Sequence, residues 1–248
     1  LSLGRERERA GERIGERRFA NVLLGRRLGD YVMLSLAWHG ADWRYDEAQS
    51  GVPLAPSGIS HAWGLTLEWD RRVVEEDFVR GFYLRALVKR DLPFSDFSAT
   101  RMVVNGDLSL NLLGHHTLAF AQVLALSRGV PAGQEYLLGG LGGEFTLPLK
   151  GYEDRSLVSP QVLGHAVEYR IPFWRKRQFF LSLVGFVDGA LTWGAPRDPG
   201  TRWHGSAGVS LRVYLRRVAV PAMQFYYAYN FDEKRFRFGV QVGLGNGR

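Results

Sequence analysis

The chain has 248 residues, a net charge of +7 and no cysteine. The missing thiols exclude disulfides, thiol nucleophiles and thiolate metal sites. Its cationic residues are scattered along alternating segments and do not gather on one face, which argues against nucleic acid as a partner. No run reaches the roughly 18 apolar residues of a spanning helix.

Residues 4–18, GRERERAGERIGERR, have no apolar face. Residues 1–16 are therefore left as a strand, a helical turn or a frayed terminus. No signal peptide is visible at Leu1, so one has been cleaved or the numbering starts inside a longer precursor. Beyond this stretch the dominant period is two, the signature of strands. About a dozen segments are predicted, near 2–10, 17–28, 31–43, 60–72, 78–91, 100–112, 116–128, 161–173, 178–193, 205–216, 218–230 and 234–243. In the third, Val32, Leu34, Leu36 and Trp38 share a face opposite Met33, Ser35, Ala37 and His39. In the sixth, Met102, Val104, Leu108, Leu110 and Leu112 oppose Arg101, Asn105, Asp107, Ser109 and Asn111. In the last, Phe236, Phe238, Val240 and Val242 oppose Arg237, Gly239, Gln241 and Gly243.

Three features favour a membrane over a soluble sandwich. Most segments run ~10 to 14 residues, against a usual strand mode of ~5 to 6, and match the ~9 to 11 tilted residues that cross a bilayer. The polar faces repeat Arg, Asp, Glu and Asn, which suits a polar lumen. Trp38, Trp43, Trp63, Trp69, Trp193, Trp203, Tyr226, Tyr227 and Tyr229 gather near segment ends, as interfacial girdles do. The expected fold is all-β: a single transmembrane antiparallel β-barrel of about 12 strands over 1–248. The stretches 44–60 and 129–160 are expected to be long loops at one end. Short turns at Gly29-Asp30, Leu113 to His115 and Arg216-Arg217 suit the other end.

The long loop ends in Lys150-Gly151-Tyr152, and five strand-like segments follow. The first contains HAVEYRIPF (165–173), the second GFVDG (185–189), the last FRFGVQVG (236–243). From about Leu137 to Gly243 this combination resembles the BamA/TamA-like superfamily of outer-membrane assembly and translocation barrels. The resemblance implies that the long loop, 129–160, folds back into the lumen and that its Arg-Gly-Phe/Tyr tip docks on the acidic residue of a Phe-x-Asp-x-Gly strand motif. Here the tip is Lys150, Gly151 and Tyr152, and the motif supplies Phe186, Asp188 and Gly189. Alternation turns Asp188 inward, and Glu168 inward one strand away. Two such carboxylates need a cation, which Lys150 supplies, while Gly151 permits a sharp turn and Tyr152 packs against the wall. Lys replaces the family's Arg, a point charge for a planar fork, so the expectation is either a weaker latch or a role shared with Arg155. Phe236, Phe238, Gly239, Val240 and Val242 resemble the C-terminal assembly signal of outer-membrane proteins. Gly239, Gly243 and Gly245 are expected to loosen pairing at a seam between first and last strands.

The implied function is insertion or transport of polypeptide, or of lipid, at the bacterial outer membrane, without catalysis, cofactor or metal. Partners would be outer-membrane lipid, lipopolysaccharide included, and envelope proteins. The family's periplasmic peptide-binding repeats are absent here and its barrel usually has more strands, which suits a short barrel-only member or part of a longer chain. A passive channel or structural subunit, and the membrane anchor of a separate enzyme domain, are the alternatives. His115-His116 has no further ligand at metal spacing, Leu137 to Gly143 is not a phosphate loop, and Ser206 and Ser210 lack a nucleophile elbow.

Overall fold

The computed structural model describes residues 2–10, 13–48, 56–74, 79–131, 135–140, 149–154, 156–176, 179–194, 200–215 and 221–242. Its elements are β1 (Ser2–Ala10), β2 (Arg13–Leu28), β3 (Val32–Ala48), β4 (Gly58–Asp70), β5 (Val73–Val74), β6 (Val79–Asp91), β7 (Thr100–Leu112), β8 (His116–Arg128), β9 (Tyr136–Leu138), β10 (Leu157–Ser159), β11 (Gln161–Arg175), β12 (Phe179–Trp193), β13 (Arg202–Leu215), β14 (Pro221–Asn230) and β15 (Arg235–Val242). No helix occurs among the described residues. The all-β, antiparallel expectation holds.

Twelve strands pair in the order β1-β2-β3-β4-β6-β7-β8-β11-β12-β13-β14-β15, and the short β5 pairs with β6. Each neighbour along this path is antiparallel. Among the described residues the edges β1 and β15 do not pair with each other. The sheet curls nonetheless. Asp107 of β7, Glu168 of β11, Arg212 of β13 and Gln241 of β15 line one cavity of about 340 Å³.

Period-two side chains sort onto the two faces of the curled sheet. Outward, the registers align Leu24, Leu36, Leu65, Val88, Met102 and Leu126 in one apolar row across six strands. Inward lie buried Ser35, Thr66, Asn105, Thr117, Ser182, Ser210 and Gln224. An outer face richer in apolar groups than the inner one is the reverse of a water-soluble fold.

Several boundaries differ from expectation. The strand β3 continues to Ala48 and β4 starts at Gly58, so the 44–60 loop shrinks to 49–57. Within 129–160, β9 and β10 form a small separate hairpin. Residues 2–10 form a strand in unbroken register with β2, from Ser2↔Asn21 to Ala10↔Arg13. Backbone pairing supplies a partner where no apolar face announces one.

Candidate functional site: a loop latched to the inner face

The segment between β8 and β11 turns inward and sits on an apolar patch of an otherwise polar inner face. Tyr136, Leu138, Leu149 and Tyr152 of the loop pack with Val123 and Ala125 of β8, Val162 and Ala166 of β11 and Ala190 of β12. Small residues on the wall leave room for the larger loop side chains. Gly139 and Gly140 take φ of 116° and 68°, a region that disfavours side chains. There Gly140 bonds Leu149 in both directions, at 3.0 and 2.9 Å. The Tyr152 amide donates back to the Leu149 carbonyl at 3.1 Å. This tight turn presents Lys150 and Gly151 as its tip.

The tip meets one row of the sheet. Register places Ala166, Asp188, Ser206 and Asn230 side by side across β11 to β14. The Lys150 amide donates to Asp188 Oδ2 at 3.2 Å, and its Nζ lies 3.3 Å from the same oxygen. The Gly151 amide donates to Ser206 Oγ at 3.0 Å, and Ser206 donates to Asp188 Oδ1. Asn230 Nδ2 donates to the Gly151 carbonyl at 3.0 Å. A Cβ on Gly151 would sit 2.5 Å from the Ser206 Cβ and 3.3 Å from the Asn230 Cα. Only glycine fits that approach.

Lys150 and Asp188 are 1% and 0% exposed. The Lys150 Nζ also lies 3.2 Å from Glu168 Oε1 and 4.1 Å from the Phe186 ring centroid, a cation–π contact strengthened by desolvation. Opposite Phe186 stands Gly208, where a Cβ would clash with the Tyr227 carbonyl oxygen and meet the ring tip at 2.8 Å. Gly189 faces outward, and the Trp203 indole covers it. His165 stacks on that indole at 5.0 Å.

The balance of charge differs from expectation. Glu168 does not depend on Lys150 alone. Arg212 grips it through both oxygens, at 2.9 and 2.6 Å, and Arg170 adds 2.8 Å. Three cations thus face two carboxylates. Among the described residues, Lys150 is the cation paired with Asp188. Lys150 also bridges both carboxylates despite being a point charge, because Glu168 and Asp188 converge on its Nζ. Arg155 lies outside the described residues. Spacing along the chain gave no sign of Arg212, Ser206, Asn230 or Asp232, since the first three join the site through strand register and Asp232 through the β14–β15 turn.

Tyr152 does more than pack. Its hydroxyl accepts from the Gly205 amide at 2.9 Å and donates to Asp232 Oδ2 at 2.8 Å. Burial, then the Asp232 hydrogen bond, push the phenol pKa up, so it stays a donor at ordinary pH. His204 Nδ1 meets the same Asp232 oxygen at 2.8 Å. One residue on, Glu153 pairs with Arg237 of β15 at 3.0 Å. The loop therefore touches β12, β13, β14, the β14–β15 turn and β15.

Phe236, Phe238, Val240 and Val242 point outward, with Phe238 68% and Val242 70% exposed. Against β14, Gly239 keeps the ladder intact. It pairs with Tyr226 in a register unbroken from Met223↔Val242 to Asn230↔Arg235, and the Tyr226 ring occupies the space a side chain would take. Gly243 and Gly245 lie outside the described residues. His116 Nδ1 lies 2.7 Å from the Tyr169 hydroxyl. Among the described residues no group of three or more His, Asp and Glu is placed to hold a metal. What the site can do chemically is hold a loop by charge-assisted, separable contacts.

No protein-family model matches the chain, and no curated protein matches it. Among solved structures it is similar to the crystal structure of BamA from Haemophilus ducreyi lacking POTRA domains 1-3. The TM-score is 0.71 at 16% identity, over 93% of this chain and 53% of that one. The chain has the fold of that barrel and spans about half the length of the chain it matches.

Proposed function

We propose that the protein is an outer-membrane barrel of the assembly and translocation type, acting in insertion or transport of polypeptide at that membrane. The observation that carries this reading is the loop tip buried against Asp188, with five strands of the main sheet after it, on a sheet of the BamA barrel fold. The outward apolar rows favour lipid contact, and closure of the sheet would remove the unpaired edges that hydrocarbon cannot satisfy. The connections 49–57, 92–99, 129–160 and 194–201 share one end of the strands, which we take as the outer side. A plug tied by ionic contacts suits a barrel that must stay sealed at rest yet rearrange in use. No covalent chemistry is required of it.

The test is reconstitution. Vesicles carrying the protein should fold an added unfolded barrel client several times faster than empty vesicles. Lys150→Asp should abolish the acceleration. If wild type conducts ions and leaves the client's folding rate unchanged, the chain is a passive channel and the assembly role is wrong.

A further inference from the structure

The outward face carries a second feature, remote from the latch. Register places Val22, Trp38, Trp63, Arg90, Thr100 and Arg128 in one transverse row. The next row toward the strand middles is the wholly apolar one from Leu24 to Leu126. On β6, from Val88 to Arg90, and on β8, from Leu126 to Arg128, the change from hydrocarbon-compatible to cationic side chains therefore happens within a single step. Arg90, Thr100 and Arg128 are exposed. Neither arginine has an ion pair among the described residues. The two stand on alternate strands, about 10 Å apart at the backbone, with the Thr100 hydroxyl between them. The carboxylates nearest along the chain are turned elsewhere. Asp91 holds Ser60 at 3.0 Å and the Ala99 amide at 2.9 Å, and Asp96 holds the Ile59 amide at 2.7 Å. Beside the row, His61 stacks on Trp38 at 5.6 Å and meets Phe94 at 5.2 Å, an aromatic slab of the kind that settles at headgroup depth.

We infer that Arg90, Thr100 and Arg128 form a binding site for the phosphate of an anionic lipid headgroup in the outer leaflet. A guanidinium facing lipid is costly at the midplane and cheap at the interface, and its planar fork matches phosphate oxygens two at a time. Thr100 adds a neutral donor between the two forks. Trp63, next in the row, lies against the upper part of the same acyl chains. The inference rests on the membrane reading above and names a lipid contact for it.

Native mass spectrometry of protein released from bilayers of phosphatidylcholine mixed with phosphatidic acid tests it. Wild type should retain phosphatidic acid at least tenfold over phosphatidylcholine. Arg90→Gln with Arg128→Gln should remove the preference, whereas Arg26→Gln, outward near the opposite end of β2, should leave it. Equal retention of both lipids by wild type, or an unchanged preference in the double variant, overturns the site. Displacement by inorganic phosphate would make it a soluble-anion site and also overturn the proposal. Flotation with the vesicles is scored separately. If wild type fails to float, the membrane reading itself falls, whereas flotation without lipid preference removes only this site.

Discussion

At the scale of single residues, the site depends on what is absent from Gly151 as much as on what Lys150 carries. Overpacking costs about 1 to 3 kcal/mol where neighbours cannot yield. Around Gly151 the neighbours are Ser206 and the Asn230 backbone, both fixed in the sheet ladder. Gly151→Ala should therefore lower stability to urea by about that amount and expose the loop to protease. Gly185→Ala, on the outward face of the same strand as Asp188 with nothing within 4 Å of a Cβ, should change neither. Matching behaviour of the two variants would show that the tip is not held closely. The Lys150–Asp188 pair is a different matter. A buried ion pair adds little net stability, but removing one member strands the other at a cost of about 3 to 5 kcal/mol. Glu168 would keep Arg212 and Arg170 after loss of Lys150, so the penalty falls on Asp188.

At the scale of elements, the faces of the strands were legible and their levels were not. Side chains alternate with a period of two, so parity alone sends Leu36, Leu65 and Val88 outward and Asp188 and Glu168 inward. Which residue stands beside which depends on register, and register depends on turns and on the stagger between strands. Asp188, Ser206 and Asn230 share a row, yet 18 residues separate the first two. Arg212 reaches Glu168 diagonally, since its own row partner on β12 is Ser182. β1 lacked any apolar period because its pairing with β2 uses backbone groups that a hydropathy pattern does not record. The outward rows make a testable claim about solvent. Leu65→Arg, in the apolar row, should cost about 2 to 4 kcal/mol in lipid vesicles if that row faces the bilayer interior. Thr100→Arg, one row toward the rim, should cost about 1 kcal/mol or less. In a water-facing sheet Leu65→Arg would be nearly neutral, and that result would reject the membrane assignment.

At the scale of the whole molecule, the loop ties distant strands together. From β8 it crosses to Asp188 on β12, Ser206 on β13, Asn230 on β14 and Arg237 on β15. A curled sheet with two edges that do not pair among the described residues gains cross-links from this arrangement that its ladder does not provide. These contacts thus hold the loop and brace the last four strands. The most direct measurement is a double-mutant cycle with Lys150→Met, Asp188→Asn and the combined variant, read as urea unfolding in vesicles. The account predicts single losses that do not add, with a coupling of about 2 kcal/mol and partial recovery in the double variant. A coupling below about 0.5 kcal/mol, the level expected of independent sites, would mean that the loop is not held by this pair and would contradict the account.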